Sequence, residues 1–158
     1  MIADIRKAET GYTARFERHL KHAVEEAWSW LTENDKLAQW FKELRVDELR
    51  EGGSIKFDMR DGTFIEMKII EMKANAVLEY EWGEDVVRFE LVPEPEGCLL
   101  VLVEKIKTIT DHTPKDLAGW HVCLDAVEAL MDGRAVKPRG AAWERRYEQY
   151  RQAVEPVR

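Results

Sequence analysis

Between Leu44 and Lys107 the chain alternates apolar and polar residues in six short runs, each closed by a turn signal. Leu44 to Leu49 is the first, and Glu51-Gly52-Gly53 turns it. Ile55, Phe57 and Met59 then alternate with Lys56 and Asp58, ahead of Asp61-Gly62, the strongest hairpin signal present. Thr63 to Met72 is a longer run that ends at Ala74-Asn75. Leu78, Tyr80 and Trp82 alternate with Glu79 and Glu81; after Gly83-Glu84, Val87, Phe89 and Leu91 alternate with Arg88 and Glu90. Pro93 to Gly97 turns the chain into a last run, Cys98 to Lys107. A period of two with tight turns dictates an antiparallel meander with one buried face, and that face needs something to cover it.

The flanking segments supply the cover. Tyr12 to Leu20 alternates like a strand, giving seven strands in all, and Val24 to Thr32 carries Val24, Ala27, Trp28 and Leu31 at helical spacing. Asn34 is placed to cap a second short helix with Leu37, Trp40 and Phe41 turned inward. Thr113-Pro114-Lys115-Asp116 reads as an N-cap, a first-turn Pro and an acid, followed by Leu117, Trp120, Leu124, Val127 and Met131 on one stripe, with Gly133 as the stop. Residues 1–11 are polar and expected to fray; 12–133 form the domain; 134–158 add a helix marked by Trp143, Tyr147, Tyr150 and Val154. The order predicts an α+β fold, a curved antiparallel sheet wrapped around the long helix. The Tyr12–Leu20 strand should pair with the last strand, the two short helices should plug one end, and a pocket should remain between helix and sheet.

Charge and composition narrow the function. With 31 acidic and 24 basic residues in 158 and a net charge of −7, no nucleic-acid partner is expected. The longest apolar run, Leu99 to Val103, is far too short to span a membrane. Met1 to Lys7 lacks the apolar run of a signal peptide, and Cys98 and Cys123 suit a pair of reduced thiols, so the expected location is the cytoplasm. The histidines show no metal-ligand spacing, no nucleophile elbow occurs among the two serines, and Gly52-Gly53 lacks the rest of a phosphate loop; no metal or other cofactor is expected.

Phe16 to Leu20, Val24-Glu25-Glu26-Ala27-Trp28, Leu37-Ala38-Gln39-Trp40-Phe41, Gly52-Gly53 and the late Gly119-Trp120 with Leu124 and Leu130 stand in a distinctive order. Over roughly Tyr12 to Met131 the chain resembles the activator of heat-shock protein 90 ATPase homologue-like domains, members of the START-like (SRPBCC, birch-pollen-allergen-like) helix-grip superfamily. The resemblance implies a helix-grip fold. Its relatives include lipid, sterol and polyketide carriers, aromatase-cyclases and a co-chaperone, so the fold alone transmits no activity. The co-chaperone uses two domains where this chain has room for one, and chaperone activation is not expected.

Six Trp in 158 residues must either fill a large interior or line a cavity. Trp40, Phe57, Tyr80, Trp82, Phe89, Trp120 and Leu124 are the candidate ligand-binding residues, facing the concavity, although alternation alone would also make them plain core. Trp30 lies off the stripe of Trp28 and is expected to be partly exposed. Gly119 either widens the pocket mouth or lets the helix pack closely. Arg18 and Glu104 share the inner face and are expected to pair. Glu66, Glu79 and Glu90 alternate opposite the apolar face and are placed in solvent, His19 and His22 likewise, and His121 points off the helix stripe. The tail helix either covers the outer face of the sheet or joins a second copy in a homodimer. The preferred reading is binding of a small hydrophobic or aromatic molecule without established catalysis; a protein-interaction domain and a cyclase-type enzyme are the alternatives.

Overall fold

A computed structural model describes all residues, 1–158. Eight strands form one antiparallel sheet: β1 Asp4–Lys7, β2 Tyr12–Leu20, β3 Leu44–Glu48, β4 Ser54–Asp58, β5 Phe64–Lys73, β6 Val77–Trp82, β7 Asp85–Glu94 and β8 Gly97–Ile106. Their order is β1-β2-β8-β7-β6-β5-β4-β3. The six-run meander is therefore intact, and β2 pairs with β8 from Tyr12↔Ile106 to Leu20↔Cys98. Register shifts between Val46 and Glu48 and between Ile69 and Glu71 bend the β3–β6 side.

Helices α1 (Val24–Thr32) and α2 (Asn34–Trp40) follow β2. Helix α3 (Thr113–Met131) lies in the concavity, where Trp120 meets Phe89 of β7 at 5.8 Å between ring centroids and His121 meets Phe16 of β2 at 6.3 Å. Helix α4 (Arg139–Val154) packs along α3, with Tyr150 reaching both His121 of α3 and the ring of Phe16 on β2.

Several expectations are corrected. Residues 1–11 do not fray throughout: Asp4 to Lys7 add an eighth, edge strand on β2, and Ala3 is buried. Their turn uses Gly11 at φ +79°, where a Cβ would stand 2.2 Å from the Ile106 carbonyl oxygen. Thr113 is the first residue of α3, not its cap; its hydroxyl accepts the Thr110 N–H at 2.9 Å. Asn34 does not cap α2 either. Its amide makes paired bonds with the Val46 backbone, N–H to Oδ1 at 2.7 Å and Nδ2 to the carbonyl at 2.9 Å, which ties α2 to β3. Trp30 is buried, with its Nε1 on Glu26 and Lys36 above its ring at 5.7 Å.

The tail covers α3 rather than the outer face of the sheet. Tyr150 and Val154 are fully buried against the domain. His121 points off the stripe as expected, but α4 buries it there (1% exposed). Glu79 is buried as well, on the convex face, between Lys105 at 2.7 Å and Arg88 at 3.5 Å, whereas Glu66 is exposed. His22 is half-buried and holds Asp132 at the end of α3 at 2.8 Å, while His19 stays in solvent beside Glu94.

Candidate ligand-binding site

Alternation on β4, β6 and β7 and helical spacing on α2 and α3 send large rings to one place. Trp82 of β6 lies 4.9 Å from Trp120 of α3, 5.8 Å from Phe57 of β4 and 6.5 Å from Tyr80, centroid to centroid. Tyr80 stacks on Phe89 at 6.3 Å. Leu124 is buried one turn beyond Trp120. Trp40 joins through Phe41 at 6.1 Å, its Nε1 held by the Trp30 carbonyl at 2.8 Å.

Phe41 is the hub that sequence reasoning left out of the site. It touches Trp40, Phe57, Trp82 and Trp120, the last at 5.5 Å. Its place on the inner side of α2 was legible; that it ends the helix and swings across to α3 was not. Most of the contacts are edge-to-face, the arrangement favoured by ring quadrupoles.

Three polar groups sit within this apolar set. Glu104 points inward from β8, is 1% exposed, and its Oε1 has no hydrogen-bond partner. Burial, and then the charge of and the hydrogen bond with the Asp116 carboxyl beside it, raise its pKa well above the usual carboxylate range. Asp116, on the first turn of α3, accepts the Trp82 indole N–H at 2.9 Å. One turn later, the Trp120 indole N–H is buried without a partner.

The expected Arg18–Glu104 pair does not form. Glu104 lies opposite Ala14 across the β2–β8 ladder and Arg18 opposite Leu100. Four residues of strand, about 13 Å, separate them. Arg18 instead reaches α3, at 3.1 Å from Asp125 and 3.7 Å from Glu128.

Two pockets open at opposite sides of the ring cluster. One, of about 450 Å³, is a mouth formed by Phe41 and Glu43 after α2, Gly119 and Cys123 on α3, and Arg139 and Trp143 on α4. The other, of about 300 Å³, lies at the start of α3 between Trp82, Asp85, Thr110 and Asp116. The rings of Phe41, Trp120 and Trp82 stand between the two. A Cβ on Gly119 would meet nothing within 4 Å, so close packing does not require this glycine. At the mouth, burial pushes the Cys123 thiol up to about 11, and Arg139 stands 3.8 Å from its sulfur. Glu43 Oε2 is buried without a hydrogen bond, with Arg60 at 3.6 Å.

The family model for activator of Hsp90 ATPase homologue 1-like proteins matches residues 21–132, most of this framework from α1 to the end of α3. The chain belongs to that family. No curated protein matches it closely. Among solved structures, the conserved protein of unknown function EF2215 from Enterococcus faecalis is similar at 24% identity with a TM-score of 0.89, covering 99% of this chain and 92% of that one. CalU16 from Micromonospora echinospora follows at 21% identity and a TM-score of 0.74, covering 96% and 94%. The BPP1335 product of Bordetella parapertussis has 22% identity and a TM-score of 0.74, covering 96% and 91%. These likenesses establish the helix-grip fold. The Hsp90-activator-homologue match stops before α4, whereas the Enterococcus structure aligns with nearly the whole chain, tail included. No helix of this family member is long and apolar enough to cross a membrane.

Proposed function

We propose that this domain binds a small hydrophobic or aromatic molecule bearing one hydrogen-bonding group, in the interior between α3 and the sheet. The observation that carries the reading is the pair of orphaned polar atoms, Glu104 Oε1 and Trp120 Nε1, buried among aromatic rings. A buried polar group without a partner costs on the order of 1–3 kcal/mol, and a ligand that supplies the partner recovers it. Entry is by the Gly119 mouth, with Phe41 turning aside so that the ligand lies on Trp82 and Trp120. Glu104 Oε1 accepts a hydrogen bond from a ligand hydroxyl, its acid proton being shared with Asp116, and the Trp120 indole N–H donates to the same hydroxyl oxygen. Phe57, Tyr80, Phe89 and Leu124 form the apolar walls, and Trp40 fixes the floor from α2.

Thermal denaturation against a fatty acid, a sterol and a flavonoid tests this. A ligand that binds only the folded form raises the transition by a concentration-dependent amount. At least one class is expected to do so; a flat response to all three counts against the reading.

A second reading is favoured by Glu104 itself. A cyclase-type enzyme needs an ionisable group facing the cavity, and Glu104 is an acid of raised pKa in an apolar site, suited to general-acid work. Under that reading a bound polyketide-like substrate is converted by the wild-type protein and left unchanged by Glu104→Gln.

A further inference from the structure

Away from the aromatic interior, the connection between α3 and α4 walls a pocket of about 350 Å³. Arg134 and Lys137 reach it from the connection, and Arg139, Arg145 and Arg146 from α4. The spacing of 139, 142 and 145–146 places the last three on one helix face, around Ala142.

The acids at this pocket are already engaged. Asp125 and Glu128 line it, but both are held by Arg18 at 3.1 and 3.7 Å. Arg134 is taken by Asp132 at 3.0 Å. The other four cations form no ion pair: Arg139 leans on the Cys123 sulfur, Arg146 bonds the Gln149 side-chain oxygen at 2.9 Å, and Lys137 and Arg145 have no side-chain partner. With Arg18 and Asp132 included, six cations meet three carboxylates, an excess of three positive charges round one concavity in a chain whose net charge is −7. An anion seated among them offsets that excess. Planar guanidinium groups match phosphate oxygens two at a time, and a mobile lysine adds a point charge.

We propose that this pocket is a binding site for the phosphate group of a small molecule. It stands on its own residues and does not depend on an interior ligand. Arg139 and Val122 border both this pocket and the aromatic mouth, so the phosphate lies next to the entrance.

The test is an NMR titration of backbone amides with inorganic pyrophosphate at constant ionic strength. It compares the wild-type protein, the Lys137→Gln/Arg145→Gln double variant and Arg45→Gln, a control on β3; all three side chains are exposed, so the fold is retained. Expected are saturable shifts confined to the residues round this pocket, 122–129 on α3 and 134–146, an affinity at least tenfold weaker in the double variant, and no change in Arg45→Gln. A second arm, co-sedimentation with phosphatidylglycerol vesicles, is expected to pull down no protein. Absence of saturable shifts, or equal affinity in the double variant, overturns the proposal. Vesicle binding that the double variant abolishes, without pyrophosphate binding, assigns the surface to a membrane and overturns it too.

Discussion

The ring nitrogen Nδ1 of His121 lies 2.7 Å from the phenol oxygen of Tyr150. The backbone N–H of Ala3 donates to the same oxygen at 2.9 Å. One atom thus ties the start of the chain, the central helix and the tail helix together beneath Phe16, whose ring is 6.2 Å from that of Tyr150. On the other side of the ring, His121 Nε2 lies 3.8 Å from Asp125.

Tyr150→Phe keeps the ring and removes the shared oxygen. Two buried groups lose their partner, and the expected loss is about 1–3 kcal/mol of stability. A lower urea midpoint with an unchanged slope checks it, together with faster amide exchange at Ala3.

Protons enter the same junction in acid. Burial, with the nearby Arg18, Arg146 and N-terminal charges, lowers the His121 pKa to about 4 despite the opposing pull of Asp125. The unfolded chain takes up this proton near 6.5 and the folded one only near 4. Stability is therefore complete above about 6.5 and falls as pH drops toward 4, by up to about 3 kcal/mol. Urea unfolding of wild-type protein and His121→Gln at pH 7 and pH 4.5 reads it: the variant is less stable at pH 7 and loses less on acidification.

Glu104 acts in the opposite sense. Its folded pKa is raised, so the native state binds more protons than the unfolded one, and stability declines as pH rises above the usual carboxylate range. Glu104→Gln removes that slope. The variant is expected to gain stability relative to wild type as pH goes from 5 to 8.5, measured by urea unfolding, while losing affinity for an interior ligand.

Stability and binding separate again at Gly119. An Ala Cβ there has open space and better helix propensity, so Gly119→Ala is expected to gain about 1 kcal/mol in chemical denaturation. Gly119→Phe fills the mouth instead. It is expected to fold with near wild-type stability and to bind interior ligands at least tenfold more weakly.

Much of the frame is legible because one buried face writes a period of two along each strand, and Trp82, Tyr80 and Phe89 fall on it without ambiguity. Partners across elements are not written that way. Arg18 sits on the inner face as read, but its mates Asp125 and Glu128 belong to α3, and only the three-dimensional register brings them together. Glu104 was placed inward correctly, yet its neighbour Asp116 looked like a first-turn acid of the helix. The eighth strand escaped because Asp4, Arg6 and Lys7 carry no apolar alternation; an edge strand needs only one neighbour. His121 was off the stripe, but α3 is buried on a second side as well, where Ala118, Ala126 and Ala129 give α4 room to approach. That run of small residues was the available clue.

The proposed function requires an interior that admits a small apolar molecule. Intrinsic tryptophan emission, titrated with a fatty acid, a sterol and a flavonoid in wild-type protein and in Gly119→Phe, reads this directly, because Trp82 and Trp120 are 4.9 Å apart at the centre of the site. An interior binding site gives a saturable change with at least one of the three, weakened at least tenfold by Gly119→Phe. No saturable change with any of them, or an equal change in the variant, contradicts it.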